Sequence, residues 1–422
     1  MCDREQRGLA IAAMTKIKRC GYVWVVPSQS GSGKYSVSPD EQSPYCSCPD
    51  FETRGVTCKH IFAVRFTMKR EQHSDGSETI TESVTVTETV RKTYPQKWKE
   101  YNEAQKNEKD HFQALLRSLC DMIKEPNVKP GRGRPKLAMS DCVFMSCFKV
   151  YSTVSQRRFM CDLDDATEKG YLERTPHYNA IGASLEGEAM TPVLMKLIAA
   201  SSLPLKEVET DFAVDSTGFT TSKFYRWYDH KYGKVREDHD WVKLHAVCGV
   251  KTNVITAVEI HERNTNDCPL LPSLLAKTAE NFTVNEMSAD KQYASRDNFD
   301  AINAIGADAY IPFKANATGS VGGMFQKAFH FFSLYREDFL KSYHKRSNIE
   351  STFSMLKRKH GDSVRSKTEV AMKNEVLCKV LCHNICCLIS AIHELGIQPV
   401  FDKLIGCTFN REPAQEIAAF RD

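Results

Sequence analysis

Tyr343, Arg346, Glu350 and Lys357 lie in a stretch, 343–357, that has no Gly or Pro and consists largely of good helix formers. The composition predicts a helix; at about 100° per residue, with Tyr343 at zero, Arg346 falls at about 300°, Glu350 at about 340° and Lys357 at about 320°. The four share one narrow edge. Ile349, Phe353 and Leu356 fall at about 240°, 280° and 220°, so the apolar stripe lies beside that edge and the carboxylate sits where core meets cleft. An acid between Arg and Lys suits a site for a metal ion and phosphates together: Glu offers a hard oxygen ligand, Arg a two-pronged grip on phosphate, Lys a point charge. Taken singly, each residue reads as part of an ion pair on an exposed helix. The combined spacing carries the argument.

A second set is Cys46, Cys48, Cys58 and His60. Three thiolates and one imidazole make a closed tetrahedral set of the kind structural zinc prefers, with no open position for catalysis. A hairpin of 22–26 and 35–37 around a Gly/Ser-rich turn precedes it, and a helix follows from Ile61. So short a segment needs a staple.

The Tyr-x2-Arg-x3-Glu-x6-Lys pattern resembles the signature of DDE transposases of bacterial insertion sequences, whose acidic triad sits on an RNase H-like fold. That resemblance implies two upstream Asp at strand ends. Asp215, in Asp211-Phe-Ala-Val-Asp215, and Asp290, in Glu286-Met-Ser-Ala-Asp290, meet the demand, and an Asp-x-x-Tyr continuation adds Tyr293. The resemblance implies that Asp215, Asp290 and Glu350 are catalytic and hold two Mg²⁺ (or Mn²⁺) ions, about 3.5–4 Å apart, for strand cleavage and joining to target DNA. It places Tyr343, Arg346, Lys357 and Tyr293 at the DNA. Cys-x-Cys-x9-Cys-x-His in turn resembles the SWIM zinc finger, with one structural Zn²⁺.

The expected fold class is an α/β RNase H-like catalytic domain of order β-β-β-α-β-α-β-α over 205–404. Its strands are 211–217, 223–228, and 241–250 running on after 251–253 into 254–260. Then come a helix at 269–281, the strand ending at Asp290, a helix at 296–305, a strand at 309–313, the 343–357 helix and a closing helix at 369–395. Before it stand a small zinc-bound ββα module at 1–70, a linker or edge hairpin at 71–94, and a segment at 95–140. That segment holds one long helix, 95–124, and Arg132-Gly-Arg134-Pro135, which resembles the AT-hook. An all-helical DNA-binding region, 141–204, carries short helices at 141–151, 156–169 and 176–185, the last with Thr175 as N-cap and Pro176 at N1. It reads as helix-turn-helix-like, with His177, Tyr178 and Asn179 near the start of the third helix. Residues 405–422 form a tail.

Net charge is +4, from 57 Lys+Arg against 53 Asp+Glu, so the total does not announce a nucleic-acid partner. Clusters must: Arg358 and Lys359 extend the basic run from Lys357 as further DNA contacts. In the gap 314–342, Phe325, Phe329, Phe331 and Phe332 read as core, with one of them a candidate stacking surface for a base. The start lacks an apolar signal core, and the apolar stretch 377–397 is broken by Lys379, His383 and Asn384. The 16 Cys then read as free thiols and metal ligands. The expectation is a cytoplasmic, nucleoid-associated bacterial or archaeal protein, a homodimer on double-stranded DNA with no membrane contact. Its rivals are a catalytically silent, transposase-derived DNA-binding protein and a nuclease of the same fold that does not join strands.

Overall fold

The computed structural model describes residues 3–29, 33–40, 42–72, 78–82, 97–124, 136–221 and 241–401. Residues 1–95 and 96–422 form two compact units. The expected strand 223–228, the basic Arg132–Arg134 segment and the 405–422 tail lie outside the described residues.

In the first unit, α1 (Asp3–Met14) precedes a four-stranded antiparallel meander of β1 (Lys18–Cys20), β2 (Val23–Pro27), β3 (Lys34–Ser38) and β4 (Tyr45–Cys46). Alternation along β2 buries Trp24 and Val26 against Val37, Ile61 and Val64. Short helices α2 (Pro49–Arg54) and α3 (Lys59–Thr67) follow, then an antiparallel pair, β5 (Met68–Gln72) and β6 (Glu78–Glu82), so the start of the expected linker is a hairpin. Pro at the N-terminus of α2 and Gly55 at its C-cap, with φ 61°, delimit that helix. At Gly8 a Cβ would come within 2.5 Å of Phe62 Cβ, so α1 lies on α3 only because position 8 has no side chain.

The second unit opens with helices. The expected 95–124 helix is two: α4 (Trp98–Lys106) and α5 (Glu108–Asp121). They divide at Asn107, whose Nδ2 donates back to the carbonyl of Glu103 at 3.2 Å, the competition with helix that keeps Asn out of helix interiors. Next come α6 (Met139–Ser152), α7 (Gln156–Glu168), α8 (Asn179–Leu185) and α9 (Met190–Ser202). Ser155 caps α7, accepting from Arg158 N. Thr175 does not cap α8: its hydroxyl donates to Thr167 Oγ1 at 3.1 Å, and the helix starts three residues beyond Pro176.

The sheet contains β7 (Asp211–Thr220), β8 (Trp241–Gly249), β9 (Ile255–His261), β10 (Glu286–Ala289) and β11 (Asp308–Tyr310), in the order β11-β10-β7-β8-β9. β8 is antiparallel to β7 and β9, while β10 and β11 run parallel to β7. The stretch expected to run through 251–253 instead turns back there, with Asn253 at φ 61°. Helices α10 (Leu271–Ala279) and α11 (Arg296–Ala304) link the parallel strands, and α12 (Gly323–Leu334), α13 (Arg336–Tyr343), α14 (Ser347–His360) and α15 (Glu369–Leu395) complete the unit. The gap 314–342, which carries Phe325, Phe329, Phe331 and Phe332, is thus largely helical.

Successive side chains of β7 serve two cores. Phe212 and Val214 pack with Leu274, Met287, Phe299 and Phe325 on one face; Ala213 and Phe219 pack on the other with Ile349, Leu356 and Ile385. That second core also takes in Phe112, Phe148, Phe159 and Leu194 from the N-terminal helices, so 98–202 and the sheet share one interior. At its centre is α15, a helix with the length and composition of a membrane span, of whose most apolar window 72% is buried in the protein. Its polar groups are satisfied. Lys379 donates to the carbonyls of Gly361 and Ser363 (2.8 and 2.7 Å), and His383 Nε2 meets Asn253 O at 2.9 Å. Asn384 accepts from Ile255 N (2.8 Å) and donates to Ile255 O (2.7 Å) and Ser201 Oγ (2.9 Å), tying sheet, α9 and α15 together.

Asn384→Leu strands these backbone groups in an apolar interior. We expect a loss of about 2–3 kcal/mol, read as a lower urea midpoint at unchanged slope; an unchanged midpoint would show that the triple contact contributes nothing net.

Candidate metal and nucleic-acid sites

β4 delivers Cys46, the turn before α2 delivers Cys48, and the N-terminus of α3 delivers Cys58 and His60; all four are buried, and their ligand atoms lie within 4.8 Å of one another. Sγ of Cys46 and Cys58 are 3.8 and 3.9 Å from His60 Nδ1. A tetrahedron with Zn–S of about 2.3 Å and Zn–N of about 2.05 Å has an S···N edge of about 3.6 Å, so the set fits zinc with Nδ1 as the histidine ligand. A hydrogen bond from Cys46 holds the Cys58 thiol down at about 4, and the same contact pushes Cys46 up.

The second site is assembled along β7. Residues 343–357 do not form one uniform α-helix: α13 ends at Tyr343, a 3₁₀ turn spans His344–Arg346, and α14 begins at Ser347. From this turn the chain runs alongside the strand. Lys345 Nζ reaches Asp211 Oδ2 and Glu286 Oε2, each at 2.7 Å; Arg346 Nη1 reaches Asp215 Oδ2 at 2.8 Å, and its Nη2 pairs with Glu350. Two turns on, Lys357 Nζ sits 5.5 Å from the ring centre of Phe219. Asp211, Asp215 and Phe219 point to one face of β7, and Lys345, Arg346 and Lys357 meet them in the same order along the chain.

Asp290 closes β10, where Ala289 pairs with Val214, and caps the 3₁₀ turn Lys291–Tyr293 through Lys291 N at 2.5 Å. The three carboxylates feel one another. Burial is the main cause that raises the Asp215 carboxyl; Asp290 and Glu350 add to it, while Ser216 N–H and Arg346 oppose. Burial works against the Arg346 cation, but Tyr343, Asp215 and Glu350 outweigh it and its pKa rises. The arrangement is looser than the cysteine set: among the described residues, only Cys46, Cys48, Cys58 and His60 bring three or more such ligand atoms within 4.8 Å. A guanidinium between two carboxylates supplies the positive charge there. Hard oxygen donors of this kind suit Mg²⁺ or Mn²⁺.

Not every expected contact residue faces outward. Tyr293 is 1% exposed and packs in the core behind the sheet, its hydroxyl without a partner among the described residues, so it does not offer a surface to DNA. Lys359 pairs with Glu108 and lies 6.0 Å from the Tyr151 ring, which turns it toward the N-terminal helices. Arg358 is exposed, and Glu350 keeps 58% of its side chain in solvent. Phe325 is buried against Phe299 and Phe313, Phe329 and Phe332 are partly so, and Phe331 is exposed beside Tyr335. Sequence reasoning missed Lys345, whose only signal was its place beside Arg346. It also missed Asp267, which accepts from Ser216 Oγ at 3.0 Å and pairs with Lys243 behind Asp215. No periodicity marks that residue.

Two outcomes follow from these geometries. The purified protein should carry about one zinc per chain; stripping it, or Cys58→Ser, should expose Trp24 and shift tryptophan emission to the red, and metal-free protein with unchanged emission would refute the staple. Asp215 titrates above its unfolded value, so its ionisation weighs against the fold at neutral pH and ceases to do so below the unfolded pKa. Asp215→Asn should therefore raise the thermal midpoint of metal-free protein at pH 7, with the gain vanishing near pH 3.5, about where an unfolded Asp protonates.

Residues 206–385 match the family model described as the transposase DDE domain, and residues 35–64 match that of the SWIM zinc finger. No curated protein matched the sequence. Among solved structures, the chain is similar to "Cryo-EM structure of piggyBac transposase synaptic complex with hairpin DNA (SNHP)", with TM-score 0.33 and 7% identity over 71% of this chain and 76% of that one. Similarity that slight adds nothing to the site argument. The chain thus carries a transposase DDE domain at 206–385, containing Asp215, Asp290 and Glu350, behind a SWIM zinc finger at 35–64.

Proposed function

We propose that this protein is a DNA transposase that binds the ends of its element, cuts there, and joins the ends to target DNA. One observation carries the reading. Within the matched domain, Arg346 joins a strand carboxylate, Asp215, to a helix carboxylate, Glu350, with Asp290 close enough to act on the first. The sheet order β11-β10-β7-β8-β9, with β8 antiparallel to its neighbours, supports the reading of an RNase H-like core. Asp215, Asp290 and Glu350 would hold two Mg²⁺ or Mn²⁺ ions, which when bound stabilise the attacking and departing oxygens of phosphoryl transfer. The chain's own cations do the rest: Arg346 orients both carboxylates, Lys357 and Arg358 hold phosphates on the exposed side of α14, and Tyr343 flanks Arg346. Helices α7 and α8 serve in end recognition, with Arg132 and Arg134 as further minor-groove contacts. Two ends must be held together, so a homodimer on double-stranded DNA is the working assembly, in a bacterial or archaeal cytoplasm at the nucleoid.

The test is incubation of wild type and Glu350→Gln with Mg²⁺, target plasmid and DNA bearing the terminal repeats that flank the gene. Cutting and joining by the wild type alone is the expected result, with at least a hundredfold loss in the variant. Cutting without joined product would replace the proposal with a nuclease; tight binding with no cut by either form would leave a DNA-binding protein.

A further inference from the structure

Apart from the carboxylates, a cleft of about 770 Å³ opens between α6, α8, the end of α14 and the start of α15. Its lining is unusual for an accidental groove. Lys149 is 8% exposed, with Arg365 and Glu375 its described charged neighbours, and Lys379 is 2% exposed. Burial lowers both ammonium groups to about 8. His360 is 5% exposed, and neither ring nitrogen has a hydrogen-bond partner among the described residues. Three acids line the cleft, Glu186, Asp362 and Glu375; Asp362 and Glu375 act on Lys379, and Glu375 already accepts from Arg365 N, Ser366 N and Ser366 Oγ at 2.7–3.0 Å. Lys379 already donates to the carbonyls of Gly361 and Ser363, so the Lys149 ammonium and the orphaned His360 imidazole are the groups that are costly unless something polar and anionic completes them.

The rim has a different character. Arg157 lies 5.3 Å from the centre of the Tyr178 ring, and both line the cleft. A planar group can stack there while its anionic end reaches Lys149 and His360. The volume exceeds what one phosphate needs and lies in the range for ligands of a few hundred daltons. Position adds a third argument. Ser363 in the cleft wall bridges to Thr220, the last residue of β7, and Asp215 lies five residues back, about 17 Å along a strand.

We propose that this cleft is a nucleotide site, with Lys149 and His360 receiving the phosphate and Tyr178 with Arg157 receiving the base. The chemistry is that of a nucleoside phosphate, either one unit of a DNA strand that also passes the carboxylates or a free nucleotide. The DNA source rests on the functional reading above; the phosphate site does not.

The experiment uses full-length protein, with Lys149→Gln and Tyr178→Ala, and thermal midpoints to confirm that both fold. Calorimetry measures dAMP against inorganic phosphate, and anisotropy measures a labelled DNA duplex across salt. We expect dAMP to bind more tightly than phosphate and Lys149→Gln to weaken it at least tenfold. If the source is DNA, the same variant lowers the salt slope by about one, and 5-iododeoxyuridine in the duplex crosslinks to Tyr178. Binding of dAMP lost in the variants while duplex binding is unchanged assigns the site to free nucleotide. Wild-type affinities in both folded variants, for dAMP and duplex alike, overturn the proposal. Because Glu350 lies outside the cleft, Glu350→Gln should bind dAMP normally, so failure of strand cleavage and failure of the cleft are read separately.

Discussion

The path of the 3₁₀ turn and α14 along one face of β7 is the constraint from which the candidate catalytic geometry follows. Three cations address three positions on one face of the strand: Lys345 and Arg346, neighbours in the 3₁₀ turn, meet Asp211 and Asp215, and Lys357, near the end of α14, meets Phe219. Between them Ile349, Phe353 and Leu356 bury the helix against the same face. Neither contribution suffices alone. Apolar burial holds a helix to a sheet but tolerates sliding, whereas part-buried ion pairs add little net energy yet penalise every register that leaves a charge unpaired. The 3₁₀ turn at His344–Arg346 sets where that register begins.

How much of this was legible depends on the kind of signal. The zinc set could be read outright, because four metal-binding side chains at short, paired spacings have few other uses; the structure puts the atoms where the spacing implied. The strands bearing Asp215 and Asp290 were also visible through alternation, and Asp290 does close its strand; β7, however, stays paired to β8 as far as Thr220, so Asp215 lies in mid-strand and not at the strand end expected. What failed was local competition. Asn107 broke a helix that propensity favoured, Thr175 chose Thr167 over a cap, and Tyr293 went inward where a motif suggested outward. Asp267 and Lys243 meet only because two distant segments fold together, and no one-dimensional pattern records such a meeting.

The buried polar groups of α15 show how a helix apolar enough for a lipid bilayer is kept in a protein interior. Lys379, His383 and Asn384 each complete the hydrogen bonding of a neighbouring backbone that would otherwise end in an apolar core. In hydrocarbon these groups would have nothing to bond. They therefore specify one packing partner for the helix instead of merely weakening its hydropathy.

That shared interior also bears on descent. The segment recognisable as a DDE domain begins at 206, yet the core beneath its sheet is completed by Phe112, Phe148, Phe159 and Leu194, all upstream of that point. A recombination event that joined this sheet to the helices of another lineage at residue 205 would leave α15 facing side chains it had never been fitted to. Point changes on the outer faces of α7 and α8 would then be tolerated more readily than exchange of the whole helical segment, and lineages of this architecture should inherit 98–395 as a block.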